Sequence, residues 1–504
     1  MKRNGLMTGA LILSIGGVLA KIFSAIYRIV ITRILGGVGI GLYQLVFPLY
    51  SLCVVVSTAG LPMAISKVVA KNPGKEKSIV KKCLLFTCLI SLVLSFVLII
   101  FSKSLAVLQG DASISVCYII LAPTIILVSS SAVLRGYFQG KHNFIPTAIS
   151  NILEQLAKLV FGLILSLILI QFGILYSIIG AMVAIVISEI LSLLVLVFSY
   201  YKDKKKHKTA REKVDLSIKE LFKDILPITV TNVILPIATF IDSLLVVNLL
   251  TINFTKEMAV FMYGLESGAV ASLVGIPTIF SFAIASVILP SITQINKPFN
   301  RNNKISLGVK IILLIAVPCV LAFVLIPDRL IECLYSNKLN GFGVGGLNIA
   351  YRLLSISGIG VVFLAVSQLY TSCLQAIDKR MITIRNLLIA VGVKFFVELI
   401  FMPSKVINIY ALAIANTLCY FTVMLLNHLE IREDFKLKLN LLFAGKLALA
   451  SSVMIVVLIV VLSLGYGWAN TILAILLAGI SYLLTLYFVK IFSRKDLAGL
   501  KYKT

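Results

Sequence analysis

Apolar runs long enough to cross a bilayer, which takes roughly 20 residues, follow one another along the whole chain, separated by short clusters rich in Lys, Arg, Gly, Pro and Asn. They lie near 7–35, 42–66, 79–101, 114–134, 145–170, 174–200, 224–250, 267–292, 306–327, 347–371, 381–402, 406–428, 442–464 and 468–491. Inside a bilayer each segment must satisfy its own backbone polar groups, so runs of this kind predict helices. The pattern therefore predicts an all-α polytopic membrane protein of about 14 transmembrane helices.

Composition agrees: 60% of the 504 residues are hydrophobic, 13% are charged and the mean hydropathy is +1.07. That balance excludes a soluble globule. A net charge of +26 would point to nucleic acid in a soluble protein, but here its placement sets topology. With the N-terminus inside, about 32 Lys and Arg fall in inner loops and tails, about 5 in outer loops and about 9 within spans. The expected location is thus the bacterial plasma membrane, multi-pass, with both termini cytoplasmic and no nucleic-acid partner. The most basic connection, YKDKKKHKTAREKVDLSIKELFKD after the sixth span, reads as a cytoplasmic topology signal that also suits anionic membrane lipids. The start, MKRN and then an apolar run, resembles a signal peptide, but the run continues to residue 35 and cleavage would spoil the alternation of basic loops.

Pro48 and Pro62 in the second span recur as Pro277 and Pro290 in the eighth, at offsets of 229 and 228. Gln139 and Gln375, and likewise Lys158 and Lys394, are 236 apart. Two related six-helix lobes follow, residues 1–200 and 218–430, joined by the basic linker 201–217, with 431–504 holding two further helices and a cytoplasmic tail. Both lobes begin on the inner side, so the repeat is parallel, and transporters of that design bind substrate between their halves. The four prolines are the expected hinges for alternating access.

The first span carries Lys21, Arg28 and Arg33 where lipid penalises a cation by roughly 2.5 to 3.5 kcal/mol. Lys21 and Arg28, two turns apart, share a face, and Gly17 and Ser24 leave room beside them. They predict a cationic wall for an anionic substrate; for Lys21 and Arg33 the alternative is snorkelling to the interfaces. The intramembrane acids are Glu154, Glu189, Asp242 and Glu398. Glu154 with Lys158, and Lys394 with Glu398, are spaced to neutralise each other along one helix, or else to line the cleft and exchange partners. Asp242 has no cation near it on its own span and is a candidate for ion coupling. Enzyme signatures are absent or broken: Gly136, Gly140 and Lys141 form an incomplete phosphate loop, and His142, His207 and His428 are too scattered for a metal. Eight cysteines without a CxxC pair indicate neither zinc nor a disulfide framework. The chain is expected to be no enzyme and to carry no cofactor or metal.

The stretch VSSSAVLRGYFQGKHNFIPTAISNILEQLAK at 128–158, with YRIVITRILGGVGIGLYQLVFPLY and GLPMAISKVVA between 27 and 70, resembles the stage V sporulation protein B group. That group belongs to the MOP superfamily, with polysaccharide exporters, lipid II flippases of the MurJ type and multidrug antiporters. The resemblance implies a flippase for undecaprenyl-pyrophosphate-linked sugars, expected to be the peptidoglycan precursor lipid II for spore cortex or cell wall. It implies that Lys21, Arg28 and Arg33 hold the headgroup, and it makes cell-wall synthesis proteins expected partners. The alternatives are an exporter of a capsular or teichoic precursor, a cation-coupled drug antiporter, which needs an acidic cavity, and a non-transporting scaffold for cell-wall synthases.

Overall fold

The computed structural model describes residues 3–206, 218–293, 298–335, 339, 344–377, 379–434 and 441–491. The described residues are almost wholly helical. Most of the basic linker (207–217, with His207) and the tail 492–504 lie outside them. Two compact units divide the chain, Met1–Gly264 and Leu265–Thr504.

The first unit contains α1 (Arg3–Thr58), α2 (Leu61–Lys71), α3 (Glu76–Ile100), α4 (Ser102–Leu108), α5 (Ser115–Gly140), α6 (Ile145–Leu169), α7 (Ile174–Lys206), α8 (Ile218–Leu250) and α9 (Lys256–Gly264). The sequence GGVGIG at 36–41 looks like a loop between two spans, yet the chain turns at one residue. Gly36 takes φ 66° and ψ −173°, a region only glycine occupies without strain, and the helix resumes at once. A second break comes at Gly60, whose left-handed φ of 80° starts α2. Pro62 therefore stands in the first turn of a new helix, where its missing N–H costs nothing. Pro48, by contrast, lies inside α1.

Small and hydroxyl residues join these helices, as expected where lipid offers no hydrophobic drive for association. Ser91 donates to Ser129 at 2.6 Å and Ser95 to the Ala122 carbonyl at 2.6 Å, linking α3 to α5. Ser166 and Ser177 exchange hydrogen bonds between α6 and α7. A Cβ on Gly41 would lie 2.1 Å from the Val260 carbonyl oxygen, and one on Gly264 would lie 2.3 Å from that of Gly37. The second half of α1 and α9 thus cross backbone to backbone. Thr229 donates to the Ala59 carbonyl, Asn248 to that of Leu108, and Gln109 to Ser243 Oγ. These bonds place α8 and α9 with the first six spans in packing, although the sequence repeat draws its boundary at 201–217.

The second unit opens on a π-helical turn, Leu265–Val270, followed by α10 (Ala271–Thr293), α11 (Pro298–Leu325), α12 (Pro327–Tyr335), α13 (Val344–Ala376), α14 (Arg380–Phe401), α15 (Tyr410–Asp434), α16 (Leu441–Ser463) and α17 (Trp468–Phe488). α13 packs against α10, α11 and α15. Asn386 donates to Asn427, which donates to Thr371, a buried amide relay through α14, α15 and α13. Tyr482 donates to the Leu314 carbonyl and fastens α17 to α11.

Twelve helical stretches among the described residues are long and apolar enough to cross a membrane. The first, Ile15–Lys71, has 57 residues, room for two passes on either side of Gly36. α14 falls outside the twelve because Arg380, Arg385, Lys394 and Glu398 stud it. The number is thus close to the 14 expected. Large apolar side chains stay exposed on outer faces, among them Leu89, Phe96, Phe198, Ile459 and Leu483, which suits a lipid surround and not water.

Candidate functional site: a charged cavity in the first unit

A cavity of about 250 Å³ opens among α1, α5, α6 and α7, lined by Phe47, Tyr50, Arg135, Glu154, Lys158 and Glu189 with smaller neighbours. Its charges are arranged across helices. Arg135 of α5 pairs with Glu154 Oε2 of α6 at 2.8 Å, and it also donates to Ser192 of α7 at 3.0 Å and to Ser150 of α6 at 3.3 Å. The other oxygen of Glu154 accepts from Gln155 at 2.9 Å. Three helices are tied by one guanidinium, whose rigid fork suits such a junction.

Because Arg135 takes Glu154, the i, i+4 pair of Glu154 and Lys158 does not form. Lys158 instead holds its ammonium over two aromatic faces, 5.1 Å from the ring centres of both Tyr27 and Phe47. Aromatic faces stabilise a cation without neutralising it. Tyr27 is itself oriented by a hydrogen bond from Tyr43. Glu189 is 8% exposed on the same wall and makes no hydrogen bond among the described residues.

Of the three basic positions on α1, Lys21 is half-buried, whereas Arg28 and Arg33 are exposed. Open space adjoins Gly17, one turn from Lys21. Arg28 has no ion-pair partner among the described residues, and its charge acts on Lys158 and on the Tyr43 hydroxyl. Arg33, five residues beyond Arg28, lies on a different face. Arg28 and Lys158, on adjacent helices, repel each other, and Glu154 and Glu189 offset part of that repulsion at Lys158.

The other singled-out residues fall elsewhere. Asp242 is buried in α8. Lys394 and Glu398 do form their i, i+4 pair, at 3.8 Å within α14 of the second unit. Pro48 and Pro277 are buried within helices, Pro62 begins α2, and Pro290 lies where the side chains of α10 are outside the described residues. Arg135, Tyr27 and Phe47 were not among the candidates. Arg135 follows directly on the fourth apolar run, 114–134, and so counts as a loop cation until α5 is seen to continue to Gly140.

This helical membrane protein, with a charged cavity inside its first unit, has the fold of the MOP superfamily transporters. The chain belongs to the polysaccharide biosynthesis protein family, whose pattern matches residues 6–296. It is 28% identical over 381 residues to the uncharacterized membrane protein YabM of Bacillus subtilis (strain 168), covering 73% of this chain and 70% of that protein. It is 27% identical over 308 residues to stage V sporulation protein B of the same organism, covering 58% of this chain and 59% of the relative, less than two thirds of its length. Among solved structures, the lipid II flippase MurJ in an inward closed conformation superposes with a TM-score of 0.70 at 17% identity, covering 94% of this chain and 98% of that one.

Proposed function

We propose that the chain is a flippase that moves an undecaprenyl-pyrophosphate-linked sugar, lipid II in the first instance, outward across the bacterial plasma membrane by alternating access, with both termini cytoplasmic. The observation that carries this reading is the grouping of Arg28 with Lys158, neither of which forms an ion pair among the described residues. A pyrophosphate is a compact anion with several acceptor oxygens, and Arg binds it through charge-assisted bonds more strongly than it binds a neutral sugar. Lys21, Arg28 and Arg33 are the proposed headgroup contacts, with Lys158 behind them. Glu154, Lys158, Asp242, Lys394 and Glu398 are the proposed gating and coupling groups, and the lobes 1–200 and 218–430 the proposed moving parts. Outward movement of two negative charges in a cell that is negative inside gains roughly 4 to 5 kcal/mol per 100 mV. That gain drives transport without ATP.

The testing experiment follows fluorescent lipid II across proteoliposomes with the membrane potential set to either sign, comparing the wild type with Arg28→Ala. Movement that depends on potential and falls at least tenfold in the variant supports the proposal. No movement of lipid II, but movement of a capsular or teichoic precursor on the same carrier, keeps the mechanism and changes the sugar. No movement of any such lipid refutes it in favour of a scaffold. A carrier for cationic drugs needs an acidic cavity, whereas here Glu154 is taken by Arg135 and Glu189 shares the cavity with Lys158.

A further inference from the structure

The second unit holds a buried carboxyl that the headgroup site does not use. Glu266 sits in the π-helical turn Leu265–Val270 and is 5% exposed. π-turns are rare and concentrate at functional places. Ser357 of α13 donates to Glu266 Oε1 at 2.8 Å, and Oε2 is buried without a hydrogen bond. Glu266 has no ion pair among the described residues. The cation acting on it is Lys394 of α14, which pairs at 3.8 Å with Glu398 of its own helix.

An ionised carboxylate with one oxygen orphaned inside protein costs on the order of several kcal/mol. The neutral acid keeps the Ser357 bond on its carbonyl oxygen Oε1 and leaves only an uncharged hydroxyl at Oε2 unbonded, a smaller penalty than an orphaned charge. Around the site, α10 has no charged residue. From α13 come Ser357 and, farther along, Arg352, whose bond goes to Tyr410. From α14 come Lys394 and Glu398. Tyr335 of α12 donates to the Ala269 carbonyl on the same turn. A metal ion needs several oxygen ligands, and no group of three or more His, Cys, Asp or Glu able to hold one occurs among the described residues.

We propose that Glu266 is a proton-binding site of the second unit, with the Lys394–Glu398 pair as the movable countercharge. With the proton bound, Glu266 is neutral and Lys394 remains with Glu398. Release of the proton to water leaves a carboxylate that draws Lys394 from its partner, so proton occupancy sets which carboxylate the lysine serves. That this exchange accompanies transport rests on the flippase reading; the proton site itself does not.

The test records infrared spectra of the full-length protein in nanodiscs, titrated from acid to alkaline pH. The carbonyl-stretch band of protonated carboxyls loses one carboxyl's intensity in Glu266→Gln, and in Ser357→Ala it shifts in frequency because its hydrogen bond is gone. A band and titration unchanged in Glu266→Gln overturn the proposal. Should that variant fail to fold, an unshifted band in Ser357→Ala overturns it instead. No substrate is needed, so the result stands apart from the lipid II assay. In that assay, the pH dependence of movement flattens in Glu266→Gln if the proton is coupled, and an unaltered pH dependence overturns the coupling.

Discussion

Separating Arg135 from Glu154 tests the arrangement of the cavity directly. Their 2.8 Å contact lies between side chains that are 18% and 17% exposed. At an effective dielectric of about 20, unit charges at that distance attract by about 6 kcal/mol. Desolvation takes back much of this, and breaking a fully buried pair from one side costs about 3 to 5 kcal/mol. With some solvent access, Glu154→Gln is expected to destabilise by about 2 to 3 kcal/mol, and the coupling in a double-mutant cycle of Arg135→Gln with Glu154→Gln to be about 2 kcal/mol. A parallel cycle of Lys158→Met with Glu154→Gln is expected to give under about 1 kcal/mol, since Lys158 rests on the Tyr27 and Phe47 rings. The assay is reversible unfolding in mixed micelles, followed by helical circular dichroism. If the Lys158–Glu154 coupling equals or exceeds that of Arg135–Glu154, the same-helix pair is the real one. Lys158 is then held by Glu154 and is not available to an anion.

Two further outcomes follow from the packing and the loops. Gly41→Ala places a methyl 2.1 Å from a backbone oxygen on α9 and is expected to cost about 3 kcal/mol or more, read as lost yield and a lowered Tm. Gly479→Ala, with nothing within 4 Å, is the control and is expected to be neutral or slightly stabilising; equal stability of the two variants refutes the tight crossing. Outside the membrane, burial works against the charge on Asp111, but hydrogen bonds from Ser113 and the Lys256 ammonium at 3.2 Å outweigh it and hold its carboxyl below the usual 3.8. A depressed acid stabilises above its unfolded value and loses that contribution as pH falls through the folded one. Asp111→Asn is therefore expected to lower Tm at neutral pH and to match the wild type well below pH 3.8; a Tm gap that persists in acid rejects this account.

The spans were legible because lipid enforces a simple rule on apolar length, and the helices follow it closely. The breaks were less so. Six residues, 36–41, look like a loop, but one glycine with positive φ suffices to turn the chain, and composition does not say which of four glycines does it. The cations of α1 stand out in the sequence by their cost in lipid. The partner of Glu154 was not, because i, i+4 spacing is a local rule and Arg135 arrives from a neighbouring helix. Glu266 lies one residue before the eighth apolar run, 267–292. A charge at the edge of a span reads as a loop residue until the helix is seen to extend past it.

Lys158 and Lys394, 236 residues apart in the sequence, are treated differently in the two units. Lys158 plus 236 is Lys394, Arg135 plus 236 is Thr371, and Gly162 plus 236 is Glu398. In the second unit the lysine keeps its carboxylate one turn onward, at 3.8 Å. In the first, that next-turn position is Gly162, where an added Cβ would lie 2.5 Å from the Tyr27 ring. The ring thus occupies the space a carboxylate side chain would need, and Lys158 sits over it. The carboxylate one turn before, Glu154, is held by Arg135, for which the second unit has Thr371, bonded to Asn427. Lys394 is therefore ion-paired in the second unit, whereas Lys158 forms no ion pair among the described residues of the first. Gly162→Glu should convert the first arrangement into the second only if Tyr27 is also reduced to Ala, because the ring and the carboxylate compete for one space.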